Sequence, residues 1–328
     1  MSQYRRRQFL IAAGSFLAVP LARAQASAMP VIGYLSNGSP GPSSRFIAGF
    51  RQGLSEAGYV DGKNVVIEFR WAEGQVERLP GFVADFVRRR VAVIVPVGGA
   101  TTWVPVKAAN ATIPIVFQGG SDPVKLGLVA NLGHPGGNAT GVTSNSTELN
   151  PKRLQLLREL VPAATMISVL VNATDQYAEE SANELQAAAR ASGQQIHIVN
   201  ARSEHDFDAA FTEIRAKRSS ALLVSPAPFL LSRRAQLVAL AAKHAIPACY
   251  GFSEYVDAGG LMSYGVNLLV VYRQVGVYAG RILKGARPAD LPVLQPTAFE
   301  LAINLKTAKA LGIKIPQPIL LRATRVIE

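Results

Sequence analysis

Only one cysteine occurs in the 328 residues, Cys249, and it sits inside the apolar run Ile246 to Tyr250. An internal disulfide is therefore excluded, and a lone thiol in such a run reads as a buried, inert side chain. Histidine is nearly as scarce. His134, His197, His205 and His244 stand at irregular spacing, no two of them three or four residues apart, so no helix face offers a histidine pair for a metal. The sequence also lacks a Gly-x-Ser-x-Gly elbow, a Gly-x-x-x-x-Gly-Lys-Ser/Thr phosphate loop, a Gly-x-Gly-x-x-Gly after a strand and a His-Glu-x-x-His pair. The expectation is a protein without catalytic residues, metal or cofactor. Basic residues outnumber acidic ones, 34 to 22, but Arg5, Arg6, Arg7 and Arg23 belong to the N-terminal segment, and the remaining 30 are spread along helices. The longest run, Arg88-Arg89-Arg90, has no interleaved aromatics, so a nucleic-acid surface is not expected.

No apolar stretch reaches the roughly 20 residues that a membrane-spanning helix needs. The longest candidate, Ile11 to Leu21, follows Arg5-Arg6-Arg7 and precedes Ala22-Arg23-Ala24-Gln25-Ala26-Ser27-Ala28. Charged start, short apolar centre and small-residue end are the parts of an export signal. Arg6-Arg7-x-Phe9-Leu10 further fits the twin-arginine type, with cleavage after Ala24, Ala26 or Ala28. Residues 1–28 are thus expected to be an address, and the mature chain a protein outside the inner membrane.

What is present is a pattern stated twice. Apolar runs at 31–35, 92–97 and 113–117 recur in the same order at 166–171, 221–224 and 246–250. The offset is on the order of 130 residues, the size of one compact lobe. Between the runs lie helical periodicities, among them Phe46-Phe50-Leu54, 79–90 and the Ala-, Glu- and Gln-rich 178–191. Strands apolar on both faces that alternate with helices predict an α/β protein of two lobes, each a parallel sheet covered by helices. The expected first lobe is 29–146 with about 261–290, and the second is 147–258 with about 291–328. Several crossings between them would act as a hinge.

In parallel sheets ligands bind beyond the carboxyl ends of the strands. In the first lobe those ends are Ser36 and Asn37, Gly98-Gly99-Ala100-Thr101-Thr102, and Gln118 to Asp122; in the second they are Asn172 to Asp175, Ser225-Pro226-Ala227-Pro228, and Phe252-Ser253-Glu254. The ligand-contact candidates are Ser36, Asn37, Gly99, Ala100, Thr101, Gln118, Asp122, Asn172, Pro226, Phe252, Ser253 and Glu254. The glycine and hydroxyl residues after 97 suit an anion held by neutral hydrogen bonds. Asp122 and Glu254 are the acids placed to meet a ligand cation, Tyr250, Phe252 and Tyr255 could wall an aromatic ring, and Trp103 stands on the rim or under the helix.

Ser121-Asp122-Pro123-Val124, Pro135-Gly136-Gly137-Asn138-Ala139-Thr140-Gly141-Val142, Gly259-Gly260-Leu261 with Ser263-Tyr264-Gly265, Ile282-Leu283-Lys284-Gly285 and the run Ile303 to Gly312 occur in that order. In this combination, over nearly all of 30–328, the chain resembles the ABC-transporter substrate-binding proteins of the tryptophan/tyrosine-binding type. The resemblance implies a periplasmic binding protein of type I, a monomer with two Rossmann-like lobes joined by three crossings, which closes over a small solute and presents it to a membrane permease. In relatives that take aromatic amino acids the loop at 225–228 tends to carry an acidic or strongly polar residue. Here it carries no charge, so a carboxylate without an amine competes with an amino acid as ligand. A ligand-sensing receptor for a membrane signalling protein and an exported α/β enzyme are the alternatives.

Overall fold

The structure is a computed structural model that describes residues 29–109, 112–144, 146, 148–174 and 178–328. The expected export segment 1–28 and Asp175 lie outside them.

In the first lobe the order is β1 (Val31–Ser36), α1 (Pro40–Glu56), β2 (Val66–Trp71), α2 (Leu79–Arg88), β3 (Val93–Val97), α3 (Ala100–Ala109), β4 (Ile115–Gly119) and β5 (Ala139–Thr143). In the second it is α4 (Asn150–Leu160), β6 (Met166–Asn172), α5 (Ala178–Ala191), β7 (Gln195–Ala201), α6 (Phe207–Ala216), β8 (Ala221–Val224), α7 (Pro228–Ser232), α8 (Arg234–Lys243), β9 (Ala248–Tyr250), α9 (Ser253–Asp257) and β10 (Met262–Val266). The chain ends with α10 (Leu268–Leu283), β11 (Phe299–Asn304), α11 (Leu305–Ala310), α12 (Gln317–Arg322) and β12 (Arg325–Ile327).

The two sheets carry the repeat. One has the order β2-β1-β3-β4-β5, and the other β7-β6-β8-β9-β10 extended by β11 and β12. Pairing within each repeat is parallel, while β10 and β11 run antiparallel. Two readings of the sequence change here. The strand at 262–266, expected in the first lobe, belongs to the second sheet, because Met262 and Ser263 pair with Cys249 and Tyr250 of β9. Residues 139–143, whose small and turn-forming residues give no strand signature, form β5, a buried edge strand paired with β4 along its whole length.

The chain passes between lobes after β5, between β10 and α10, and again after α10. In the last passage Leu294 exchanges backbone hydrogen bonds with Gly141 and Thr143, each at 2.9 Å, and the Thr140 hydroxyl donates to the Leu291 carbonyl at 2.6 Å. Arg153 fastens the other two passages. It is fully buried on α4, and its Nη1 donates to the Ser146 carbonyl at 2.6 Å and to Asn150 Oδ1 at 2.7 Å, while Nε donates to the Tyr264 carbonyl at 2.7 Å. No carboxylate among the described residues pairs with it. Burial accordingly lowers this guanidinium to about 10.

α10 returns to the first lobe and lies against α1. The closeness is set by glycine: a Cβ added at Gly53 would stand 1.9 Å from the Arg273 carbonyl oxygen, and one at Gly276 would stand 2.1 Å from that of Phe50. Only hydrogen side chains allow backbones to approach so far. Phe46, Phe50 and Leu54 on α1 and Val271, Val275 and Ala279 on α10 complete this face of the first core with Ile32 and Tyr34 of β1.

Candidate functional site

The carboxyl ends of β3, β4 and β5 meet those of β8 and β9 across a gap between the lobes. The first lobe contributes Gly98, Gly99, Gln118, Gly119, Gly120 and Ser121, with Leu268 and Tyr272 from α10. Ser144 and Ser146 come from the first crossing, and Pro226, Ala227, Pro228, Leu231 and Phe252 from the second lobe. The enclosed volume is about 70 Å³. Solute sites are usually roughly 300–1,000 Å³, so a solute enters this gap only when the lobes part. They touch here: a Cβ at Gly98 would stand 3.2 Å from Pro228. Two larger hollows, open to solvent, are lined by the second lobe alone: one of about 700 Å³ beside α4 at the amino ends of β6 and β7, and one of about 460 Å³ between α5 and the carboxyl-end halves of β6 and β7.

Of the expected contacts, Gly99, Gln118, Pro226 and Phe252 line the gap. The others stand elsewhere for local reasons. Ser36 Oγ accepts from the Gly38 amide at 3.0 Å. Asn172 Oδ1 accepts from the Thr174 amide and hydroxyl at 3.2 and 2.9 Å, which closes its own turn. Asp122 Oδ1 likewise accepts from the amides of Val124 and Lys125 at 2.8 and 3.3 Å, the alternative use of an acid in a turn. Ala100 is buried in the start of α3, and Thr101, half-buried, is not on the gap. Its neighbour Thr102 is the buried hydroxyl of this loop and donates to the carbonyls of Val97 and Gly99. Asn37 and Ser253 are buried without lining the gap.

The glycine loop is built differently from a main-chain anion cradle. Gly98 and Gly99 take φ of 108° and 90°, the left-handed region that lets the chain turn from β3 straight into α3. Their amides donate to the Gln118 carbonyl at 2.9 and 3.2 Å, and Trp103 Nε1 donates to the same oxygen at 2.9 Å. Those two amides are committed to the fold. Besides Tyr272, the polar side chains at the gap among the described residues are Ser121, Ser144, Ser146 and Gln118; Ser144 Oγ donates to the Gly119 carbonyl at 3.1 Å and lies 2.6 Å from Ser146 Oγ.

The aromatic wall is also rearranged. Tyr250 and Tyr255 stack on one another at 4.4 Å and are 1% exposed, so they are core residues. Phe252 faces the gap from the second lobe and Tyr272 from the first. Tyr272 itself stacks on Phe46, ring centres 5.0 Å apart, which fixes its ring against α1. Trp103 is a fully buried residue of α3. Ser144, Ser146, Leu231, Leu268 and Tyr272 are the lining residues that sequence reasoning missed. The serines stand just past the unrecognised β5, and nothing in a helical periodicity marks which turn of α10 meets the second lobe.

No charged side chain among the described residues lines the gap. Glu254, in the first turn of α9, is a buried acid that does not line it. It is 6% exposed, and its Oε2 has no hydrogen-bond partner among the described residues. Burial pushes its carboxyl above the usual range, opposed by its own backbone amide and by Arg45 and Arg234.

Residues 41–327 match the family described as ABC transporter substrate binding protein. The chain is 27% identical over 268 residues to the tyrosine-binding protein of Clostridioides difficile strain R20291, covering 81% of this chain and 76% of that protein. Among solved structures it is similar to a conserved domain protein of Vibrio cholerae, 26% identical with a TM-score of 0.82, and to an ABC domain from Streptococcus pneumoniae in complex with L-Trp, 25% identical with a TM-score of 0.81. Both alignments cover 91% of this chain and 99% of the other. With its duplicated sheets and a gap at their carboxyl ends, the chain belongs to the ABC transporter substrate-binding protein family.

Proposed function

We propose that this protein is the solute-capturing component of an ABC importer: it takes a small solute, an amino acid, aromatic ones included, or a related carboxylate, into the gap between its lobes and delivers it to a membrane permease. In this reading the chain is exported through its twin-arginine segment, acts as a monomer outside the inner membrane and performs no chemistry on the solute. The observation that carries it is the gap itself, walled by both lobes, neutral, rich in serine and glycine, and too small to fill except by parting and reclosing. Closure over a solute buries it on two sides, which one lobe alone cannot do. Gln118, Ser121, Ser144 and Ser146 supply neutral hydrogen bonds of the kind that hold a carboxylate, and Phe252 and Tyr272 supply apolar faces from opposite lobes. The likeness to proteins whose names include tyrosine and L-Trp supports aromatic amino acids as the first solutes to try.

A thermal-shift screen of amino acids, aromatic acids and dicarboxylates tests this. A bound solute stabilises by about 2.7 kcal/mol at a hundredfold excess over its Kd, and the shift grows with the logarithm of concentration. The expected result is a graded shift with a narrow chemical set. No shift with any of them would contradict the reading.

A further inference from the structure

We propose that Arg153 is a positioning residue for solute capture: it ties Ser146 to the second lobe, so that the contact between the Ser144 and Ser146 hydroxyls joins the lobes beside the gap and slows release of a captured solute. This rests on the capture reading above and names the residues that set how long the solute stays.

The two serines are close neighbours in the chain, yet they are anchored to different lobes. Ser144 belongs to the first. Its amide donates to the Gly119 carbonyl at the end of β4 at 2.8 Å, its hydroxyl donates to the same oxygen at 3.1 Å, and the neighbouring Thr143 hydroxyl donates to the Ser121 carbonyl at 2.9 Å. Ser146 belongs to the second. Its carbonyl accepts from Arg153 Nη1 at 2.6 Å, and the same guanidinium reaches the second sheet through Nε, which donates to the Tyr264 carbonyl of β10 at 2.7 Å. Nη2 lies 3.5 Å from the carbonyl of Gly251, the residue before Phe252 on the gap wall. Arg153 is fully buried, and glycines make room for it: a Cβ added at Gly265 would stand 3.4 Å from Nη2, and one at Gly251 would stand 3.5 Å from it. With all three nitrogens of the planar fork directed at backbone oxygens, the place of Ser146 is fixed relative to the second sheet.

The seam between the lobes therefore runs between Ser144 and Ser146. Their Oγ atoms are 2.6 Å apart, and a Cβ added at Gly120 of the first lobe would stand 3.1 Å from the Ser146 Cβ. Both hydroxyls line the gap. Rotation of one lobe against the other moves one hydroxyl relative to the other, so this hydrogen bond belongs to the closed arrangement. A bond made only there favours the closed form and slows opening, while entry of the solute into the open form is left unchanged. The Ser146, Tyr264 and Gly251 carbonyls come from three separate segments, which a guanidinium spans and the single nitrogen of a lysine does not.

Capture and release rates, measured by surface plasmon resonance on the full mature chain, test this. The probes are L-tyrosine, L-tryptophan and the remaining amino acids, aromatic acids and dicarboxylates of the thermal-shift screen. Ser144→Ala and Ser146→Ala should each speed release about two- to tenfold, the net effect of one hydrogen bond, with capture rates unchanged. The double variant should release little faster than either single one, whereas separate contacts to the solute would multiply. Arg153→Lys should also speed release, and adding Ser146→Ala to it should have little further effect, a coupling that a loss of stability alone does not produce. The serine variants decide even if Arg153→Lys fails to fold: multiplying effects, or release unchanged in both, would leave Arg153 with no contact to position and overturn the assignment while leaving solute capture intact. A full further effect of Ser146→Ala in the Arg153→Lys background would overturn it too. Binding of no probe by the wild type would overturn both readings.

Discussion

Arg45, on α1 of the first lobe, reaches Asp257 on α9 of the second, Nη1 to Oδ2 at 3.0 Å, and Arg325 holds the same carboxylate from within the second lobe. The Arg45 contact exists only while the lobes are together. Both side chains are partly exposed, so the pair contributes about 0.2–1 kcal/mol at low salt and less as salt rises. Arg45→Ala is therefore expected to weaken solute affinity by up to about fivefold. The difference from wild type should vanish in titrations at high salt. A loss that persists there would mean that Arg45 acts through something other than this ion pair.

Arg153 presents the opposite case, a buried cation whose partners are uncharged oxygens. Replacing it with Ala leaves the Ser146 and Tyr264 carbonyls without their donor and opens a cavity beneath the cleft. Unmet buried acceptors cost roughly 1–3 kcal/mol each, so a loss of at least about 3 kcal/mol is expected. Arg153→Lys should recover only part of it, because an ammonium cannot reach all of these acceptors from one planar fork. Urea unfolding midpoints measure both variants. An Ala variant within about 0.5 kcal/mol of wild type would show that the hinge does not depend on this residue.

Two glycines in helices should respond to alanine with opposite signs. At Gly276 the added methyl would meet the Phe50 carbonyl at 2.1 Å and the Leu54 amide nitrogen at 2.8 Å, forcing α1 and α10 apart. Overpacking of this kind costs about 1–3 kcal/mol. Gly81, on α2, has nothing within 4 Å of the same position. There alanine should stabilise by about 0.5–1 kcal/mol through helix propensity. Thermal unfolding of both variants checks the pair, and a shift of the same sign in both would refute the packing argument.

Cys249 is fully buried in β9, and loss of solvent pushes its thiol up to about 12, with Arg153 pulling weakly the other way. The reactive species is the thiolate, so a colourimetric thiol reagent at neutral pH should label the native protein at the rate of its unfolding and the denatured protein at once. Rapid labelling of the native state would place this strand outside the core.

Much of the fold was legible because buried parallel strands have a plain signature. Val31–Ser36, Val93–Val97, Met166–Asn172 and Ala221–Val224 are continuous apolar runs, and their repetition predicted two like sheets, which the matching strand orders bear out. β5 was not legible. Its sequence Ala-Thr-Gly-Val-Thr contains turn-forming and small residues, and it is a strand because Gly141 lets it lie against Phe117 of β4. The bounds of α3 were not legible, since it carries two threonines after Ala100 and Pro105 inside. The lobe holding 262–266 depended on pairing with β9, a tertiary fact with no local signal. At the site the same division holds. Gly99, Gln118, Pro226 and Phe252 follow recognisable strands, whereas Tyr272 reaches the gap only because the close packing of α1 on α10 puts it there.

The central claim is that the lobes open to admit a solute and close on it. Small-angle X-ray scattering of the mature chain, recorded without solute and with a saturating solute taken from the thermal-shift screen, tests it most directly. The expected result is a smaller radius of gyration and a shorter maximum dimension on binding. Identical scattering curves for free and saturated protein would contradict it.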